Sequence, residues 1–430
     1  MALEYLEFEY LNENFKSIPV VTSHTGVVGS GDMEVLMTRK DQEGKVLVKV
    51  STPVKGFENV WNMVLQKFVK ESKLGNVLIE INDNNSTPFI VSLRMKQAFI
   101  EAMSGNNNSD NYEDIQDQSF YEATSRVRAR NIVDEGTFSE LAGPTCKLMS
   151  PHLPVLGQAT AFDDGVVTGI GKIGERPAFV ISQEGKFIGG AVGEVSGAKI
   201  VNIFNLASDL YKKIVSKYPK DYEKRVPLII WSFETGGVRL HEANAGLLAH
   251  AEVMEAIQKC RGSVPIISLV GSKVGCFGGM GFVTVATDCI IMSELGRIGL
   301  TGPEVIEQEM GKEEFDSADK SLIYRTTGGK HKYIMRDCSF LVKDSIGDFK
   351  RKIEDLSKLS YEEIQQYRSI GSLDLVNEQM NLVKLVSTLK PKDSKDMWNY
   401  YGNLADKISD DSYEEFIVSV KRRKRGVFDL

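Results

Sequence analysis

The sequence predicts an α/β protein: a domain of parallel sheet with covering helices, preceded by a small α+β domain and followed by a helical tail. Three observations predict it. Between about 119 and 345, apolar strand-length runs alternate with longer amphipathic ones, the pattern of strands joined by crossover helices. Residues 104–118, SGNNNSDNYEDIQDQ, are polar, acidic and free of aliphatics except Ile115, the composition of a linker. Beyond 345 the chain turns helical, charged and poor in reactive side chains. The expected units are 1–103, the 104–118 linker, 119–345 and 346–430, and the two parts flanking the linker could exist as separate chains. With 430 residues, 42% of them hydrophobic, the chain has ample core for two or three such units.

In the first unit EVLM and VLVKV read as paired strands. Residues 58–72 then place Val60, Trp61, Val64, Leu65, Phe68 and Val69 on one helical face. VLIEIN and PFIVSLR read as two more strands. The second unit opens with a helix over SFYEATSRVRARNIVDEG. Its strands are GVVTGIG, PAFVISQ, VPLIIWSFET, VPIISLVGS and CIIMSE, and its helices are SGAKIVNIFNLASDLYKKIVSKY and HEANAGLLAHAEVMEAIQKC. In the tail a second helical block spans 394–422, and the tail reads as structural.

Several function classes are disfavoured. A net charge of −7 argues against nucleic acid as main partner. The basic run Lys421–Arg425 is the exception, and it reads as a solvated terminal face, with a partner contact or phosphate clamp as alternatives. Five widely spaced cysteines, an odd number with no C-x-x-C pair, fit neither a disulfide framework nor a zinc ribbon. Reduced, mostly buried thiols are expected. His152, His241, His250 and His331 lack metal-ligand spacing, so no metal is expected. No run has the length of a membrane span, and the acidic, aromatic start MALEYLEFEYLNENF is unlike a signal peptide. A cytoplasmic protein without membrane insertion is expected.

Two glycine pairs carry the chemistry: Gly236-Gly237 in FETGGVRLHEANAGL and Gly278-Gly279 in VGCFGGMGFVTVATDC. Each follows a strand-like run and precedes a helix-like one. Such a turn leaves backbone N–H groups aimed outward, and glycine admits a substrate oxygen close to them. Either pair alone reads as a tight turn; two together suggest an oxyanion hole for a thioester oxygen. His241, beside the first pair, is placed to move protons, whereas His250 falls inside a helix and reads as core.

Other motifs weigh less. Gly169-Ile170-Gly171-Lys172-Ile173-Gly174 matches G-x-G-x-x-G, but Glu175-Arg176-Pro177 and another strand come next where a helix should begin, so it reads as a hairpin. Asp344-Ser345-Ile346 lacks the helical bundle of an ordinary acyl carrier. Met95-Lys96-Gln97, which reads as the opening of a helix, lacks the Met-Lys-Met of a biotin-bearing hairpin, so biotin is not expected on this chain. Gly29-Ser30-Gly31-Asp32 puts a hydroxyl on an exposed turn, where common loop chemistry and a reactive serine both remain open. His24 is close enough in sequence for a hydrolytic dyad, though no orienting acid and oxyanion hole accompany it.

With those residues in view, the chain resembles subunits of malonate decarboxylase joined end to end. Residues 1 to about 103 are similar to its delta subunit, the small acyl carrier, through VGSGDMEVL, STPVKGFENVW and STPFIVSLRMKQAFIEA. Residues 119–345 are similar to its beta subunit, through RARNIVDEGTF, LMSPHLPVLGQ, IGGAVGEVSGAKI, ETGGVRLHEANAGL, GCFGGM and GLTGPEVIEQEMG. A more distant resemblance is to the carboxyltransferase subunits of acyl-CoA carboxylases, which implies a crotonase-like ββα superhelix. The gamma subunit of the family is not recognisable.

The resemblance implies that Ser30 carries a phosphoribosyl-dephospho-coenzyme A arm through a phosphodiester. It also implies that the amides of Gly237, Val238, Gly279 and Met280 hold the thioester oxygen, with Gly236, Gly278 and the apolar Phe277 lining the pocket. The expected reaction is decarboxylation of a malonyl thioester to the acetyl thioester through an enolate, a carbon–carbon lyase. His241 and Glu304, with Glu307 beside it, are the proton donors in view. The partners implied are a gamma-like crotonase-fold subunit, an alpha-like carrier-transferase that exchanges malonate for acetate, and an arm-attaching enzyme. Three alternatives stay open: carboxyl transfer to a biotin carrier protein, a non-catalytic carrier scaffold, and a simple hydratase or thioesterase.

Overall fold

A computed structural model describes residues 2–105, 115–367 and 372–423. Most of the linker and the end of the basic run, Lys424 and Arg425, lie outside the described residues.

The first unit is a five-stranded sheet covered by two helices. Its strands are β1 (Glu4–Leu11), β2 (Thr22–Gly26), β3 (Asp32–Arg39), β4 (Lys45–Thr52) and β5 (Val77–Asn84), in the order β1-β4-β5-β3-β2. Helix α1 (Glu58–Ser72) carries the chain from β4 to β5, which therefore lie parallel. That crossover seats β5 between β3 and β4, so the EVLM and VLVKV strands are not neighbours as expected. Trp61, Leu65, Phe68 and Val69 of α1 are buried against the sheet, as the period required. PFIVSLR is not a strand but the start of α2 (Pro88–Ser104). Thr87 caps this helix through the Ile90 N–H and Pro88 occupies its first turn, signals that outweigh the apolar run. Met95 is buried in its middle rather than opening it. The period-two run EYLEFEYL forms the edge strand β1, which was not expected.

The second unit is a seven-stranded sheet in the order β12-β11-β10-β9-β8-β7-β6. Strands β6 (Ser139–Leu141), β7 (Val166–Ile173) and β8 (Arg176–Gln183) are antiparallel. From β8 onward, β9 (Leu228–Phe233), β10 (Ile266–Val270), β11 (Cys289–Ser293) and β12 (Phe340–Val342) run parallel. Gly169 to Gly174 lie in the β7–β8 hairpin, as their context required, and Gly174 turns it at φ 57°. The opening helix α3 is confined to Ser125–Asn131, with Thr124 as cap. A four-residue turn, α4 (His152–Val155), comes next; the long crossovers are α5 (Glu194–Lys217) and α6 (Asn244–Cys260), and α7 (Gly279–Val285) lies after β10. Then come α8 (Pro303–Met310), α9 (Lys320–Thr327) and α10 (Gly329–Ile334). Strands β9, β10 and β11 are buried along their whole length because helices cover both faces.

The tail contains α11 (Ile346–Ser357), α12 (Tyr361–Gln366), α13 (Ser372–Leu389), α14 (Ser394–Tyr400), α15 (Ala405–Ile408) and α16 (Tyr413–Ser419). Ser345 is simply the cap of α11. Trp398, Ala405, Ile408 and Phe416 join the main core of the sheet domain. In the described part of the basic run Lys421 is exposed, as a solvated face requires, but Arg422 and Arg423 are not free in solvent. Arg422 donates to the Tyr333 and Cys338 carbonyls and Arg423, 5% exposed, to the Met335 carbonyl, so these guanidinium groups tie the tail down.

The two units are docked on each other. Glu34 of β3, 2% exposed, accepts from Asn82 Nδ2 at 2.8 Å within its own domain and from the Phe162 N–H at 2.7 Å in the other. Thr160 Oγ1 donates to Asn82 Oδ1 at 3.2 Å, and Lys147 pairs with Glu80 at 2.7 Å. Val28 packs with Leu153, Ala159, Ala161 and Phe187 to seal the contact.

Candidate functional site

The two glycine pairs meet. A Cβ on Gly237 would lie 3.2 Å from the Gly278 Cα, and one on Gly278 would lie 2.8 Å from the Gly236 carbonyl oxygen and 3.1 Å from the Gly237 Cα. The reason is that β9 and β10 keep running side by side beyond their ends. The Thr235 N–H donates to the Gly275 carbonyl at 2.8 Å and the Phe277 N–H to the Thr235 carbonyl at 2.9 Å. The turns themselves need glycine: Gly237 sits at φ 127° and Gly278 at φ 62°, ψ −146°.

A third loop completes the arrangement. The Gly236 N–H donates to the Gly189 carbonyl at 2.9 Å, the Val192 N–H to the Gly237 carbonyl at 2.9 Å, and the Arg239 N–H to the Val192 carbonyl at 2.8 Å. Gly189 and Gly190 both have positive φ, and a Cβ on Gly190 would be driven into the Glu234 carbonyl. Sequence reasoning gave this pair, in IGGAVGEVSGAKI, no part in the site. Its strand-turn-helix placement is the signal that could have found it.

The amides are not equivalent. Gly237 N–H donates to Thr235 Oγ1 at 3.0 Å and Gly278 N–H to the Leu300 carbonyl at 2.8 Å, so both are committed. The N–H groups of Val238, Gly279 and Met280 have no hydrogen-bond partner among the described residues. Of the four expected donors, Gly237 is therefore withdrawn, because its own side-chain neighbour satisfies it.

Buried charge holds the turns in place. Arg239, 1% exposed, donates to both Asp164 oxygens at 3.0 and 2.9 Å and to Glu242 at 2.9 Å. Arg128, wholly buried, pairs with Glu234 at the foot of the first turn. Removing one partner of such a pair strands the other and costs about 3–5 kcal/mol. Arg126 bridges Glu140 and Asp163. Burial opposes ionisation of Asp163, but the charges of Arg126 and Lys199 prevail and hold its carboxyl down at about 2. None of these residues was foreseen, since Asp164 and Arg239 are 75 residues apart and no local pattern links them.

Of the other expected residues, Phe277 is buried with its ring under Gly275 and Gly299, a floor to the turn. His241 and Glu304 are exposed. Glu307 accepts from the Ser317 N–H at 2.7 Å, which makes it a loop cap, and hydrogen bonding to the Ser317 hydroxyl and then to that N–H draws its pKa down. Cys276, beside the turn, bonds Thr284 Oγ1, and burial pushes its thiol up to about 12, which removes it as a nucleophile. His250, read as core, stands beside Gly279: a Cβ there would lie 2.8 Å from its Nε2. The rim is apolar and exposed, with Leu240, Leu247, Leu248, Phe282, Val285 and Leu300 all more than half exposed.

Ser30 is exposed on the turn between β2 and β3. Gly31 N–H donates to the Asn84 carbonyl at 2.8 Å and Asp32 N–H to the Gly29 carbonyl at 3.0 Å, which fixes the turn. Arg94 grips both Asp32 oxygens, at 2.8 and 2.6 Å. Burial works against the Asp32 charge, but Arg94, the Met33 N–H and the field of Lys186 keep its pKa low. A Cβ on Gly29 would lie 3.3 Å from the Lys186 Cβ, so the serine turn faces the loop that leads to Gly189. His24 is no partner for Ser30: its Nε2 is held 2.7 Å from the buried Glu34 carboxylate, which withdraws the dyad.

Comparison with known proteins matches both units. Residues 21–102 match the family described as malonate decarboxylase delta subunit (MdcD), and residues 121–343 match the carboxyl transferase domain family. The chain is 60% identical over 314 residues, 73% of its length, to malonyl-S-ACP:biotin-protein carboxyltransferase MADC of Malonomonas rubra, covering 99% of that protein. It is 48% identical over 102 residues, 24% of its length, to the malonate decarboxylase acyl carrier protein of the same organism, covering 91% of it. Among solved structures it is similar to a chain of a Pseudomonas malonate decarboxylase hetero-tetramer in complex with malonate, with 31% identity and a TM-score of 0.58 over 66% of this chain and 98% of that one. The glycine turns thus sit in a crotonase-like carboxyltransferase fold, and the docked five-stranded unit is an acyl-carrier domain. The chain belongs to the carboxyl transferase family in its malonate decarboxylase branch, with that system's acyl carrier joined to the carboxyltransferase in one polypeptide.

Proposed function

We propose that this chain passes the carboxyl group of a malonyl thioester, carried on a covalent arm at Ser30, to biotin on a separate carrier protein. The observation that carries the reading is the position of the Ser30 turn, docked against Lys186 at the head of the loop that forms one wall of the glycine turns. From Gly29 to Lys186, along three residues to Gly189 and across to Gly236, the path is at most roughly 25–30 Å. That distance is within the span of an extended coenzyme-A-type arm. An exposed hydroxyl, open space at Gly31 and the adjacent Lys186 cation suit a phosphodiester there. The group would supply a thiol that bears the malonyl unit.

The protein's own part is electrostatic. In the transfer, the bond from the malonyl C2 to its carboxyl carbon breaks and its electron pair moves toward the thioester oxygen. The amides of Val238, Gly279 and Met280 are fixed donors for that developing charge, and removing one such donor typically costs about 10²- to 10³-fold in rate. The carboxyl carbon bonds to a biotin ring nitrogen, and the proton that nitrogen gives up balances the one that C2 gains. The name of the 60% identical relative favours this route over release of carbon dioxide. Direct decarboxylation without biotin is the second reading, supported by the likeness to the Pseudomonas assembly. Under either, the exposed apolar rim suits a gamma-like subunit that closes the site against water, and an alpha-like subunit exchanges malonate for acetate on the thiol.

Mass spectrometry of the peptide spanning 18–39, from protein purified in its native host, tests the arm. Added mass on Ser30 is expected, with Ser30→Ala folded but inactive. Unmodified serine in an active complex refutes the reading.

A further inference from the structure

We propose that His250 is a catalytic residue of this site, donating a hydrogen bond from Nε2 to the thioester oxygen as charge builds on it. The inference rests on the reading of the glycine turns as an acyl thioester site and deepens it. His250 lies on α6, which packs behind the second glycine turn. Its Nε2 is buried and has no hydrogen-bond partner among the described residues. A Cβ built on Gly279 would meet that nitrogen at 2.8 Å, the imidazole Cδ2 at 3.1 Å and the Val238 Cγ2 at 3.2 Å. The imidazole edge therefore lies beside Gly279 and near the Val238 side chain, next to two of the three residues whose amides are open.

A structural histidine at this place would be satisfied both in packing and in hydrogen bonding. Here only the packing is met. Burying a donor without an acceptor costs about 1–3 kcal/mol, whereas leucine of similar bulk would carry no such cost. A buried polar atom left unpaired calls for an explanation, and a group from outside the chain that completes the bond is one. An oxygen accepting from the Gly279 N–H lies at most roughly 8 Å from Nε2, because N and Cβ of one residue are about 2.5 Å apart and a hydrogen bond adds about 2.9 Å, so a substrate seated toward the imidazole brings the two into hydrogen-bond reach. The imidazole donates as a neutral ring and keeps its proton; the proton gained at C2 still comes from the acceptor nitrogen. This places a side-chain donor beside the backbone ones, at the oxygen that is more negative in the transition state than in the ground state.

The test uses the full chain assembled with its partner subunits, with malonyl-CoA as carboxyl donor. His250→Leu is expected to lower kcat about 10²-fold while leaving KM within about twofold. Its melting temperature should be unchanged or higher, since an unmet polar group has been removed. His250→Gln, which keeps a donor at similar reach, should recover to within about tenfold of the native rate. In histidine-labelled protein, malonyl-CoA should shift the Nε2 nitrogen resonance of His250. A normal kcat in the folded leucine variant, a melting temperature that falls along with activity, or an unmoved Nε2 resonance with malonyl-CoA bound overturns the assignment. If the resonance moves but the native complex transfers no carboxyl group, the proposed reaction fails and the contact stands. If transfer proceeds equally well in His250→Leu, the reaction stands and His250 is withdrawn.

Discussion

Replacing Gly278 by alanine tests whether contact between the glycine turns is what the site depends on. At φ 62°, ψ −146° the residue occupies a region that side chains rarely adopt, worth about 1–3 kcal/mol of strain. Its new methyl would meet the Gly236 carbonyl oxygen at 2.8 Å and the Gly237 Cα at 3.1 Å. Both are backbone atoms that cannot rotate away, and overpacking of this kind costs about 1–3 kcal/mol more. Part of the total, about 2–6 kcal/mol, is relieved by moving the turns apart, and that movement takes the Gly279 and Val238 amides out of register. A kcat reduced by about 10²-fold or more is expected beside a measurable loss of stability. Gly174→Ala is the control: φ is also positive, 57°, but among the described residues nothing lies within 4 Å of the added methyl. It should cost about 1 kcal/mol and no activity. Thermal melting and carboxyl-transfer kinetics on both variants decide the matter, and native kcat in Gly278→Ala refutes the convergent-turn reasoning. Gly279→Val is a poorer probe, because its side chain would strike His250 as well as displace the amide.

Three further outcomes are expected. Glu34→Ala strands the Phe162 N–H, Asn82 and His24, so it should destabilise the domain contact by about 1–3 kcal/mol, slow transfer and open the region between the domains to proteolysis. Asp163 has a pKa lowered from 3.8 to about 2; its contribution is present above pH 4 and lost as pH falls toward 2, so the melting-temperature gap between native protein and Asp163→Asn should narrow over that interval. Burial lowers the pKa of His331 from 6.5 to about 4, and its Nδ1 accepts from Trp398 Nε1 at 3.1 Å; acidification from pH 6.5 to 4 should therefore loosen the tail, seen as a change in Trp398 fluorescence that Trp398→Phe removes.

The elements that were legible in the sequence are those whose signal is local. The period-3.6 face of α1 and the buried β9, β10 and β11 runs arise from hydrophobic spacing alone. The Gly169–Gly174 hairpin was legible because Pro177 and a strand come after it. PFIVSLR misled because a short apolar run does not distinguish helix from strand, and the Thr87-Pro88 cap was the better guide. At the site, the glycine pairs were visible because one residue of each, Gly237 and Gly278, takes a positive φ. Their contact, the Gly189-Gly190 wall and the Arg239–Asp164 support were not, since each depends on pairing across tens of residues. Arg422 and Arg423 show the same limit: a basic run reads as solvated until the carbonyls that it meets, at Tyr333, Cys338 and Met335, are known.

The fate of one carbon atom decides between carboxyl transfer and release. The complex of this chain with its partner subunits and a biotin carrier protein would be given malonate labelled in one carboxyl group, with and without avidin. Label is expected on the biotin carrier before any is released as carbon dioxide, avidin should stop turnover, and Ser30→Ala should abolish both. Labelled carbon dioxide released at an undiminished rate in the presence of avidin, with none on the carrier, would contradict carboxyl transfer and make the chain a decarboxylase that acts without biotin.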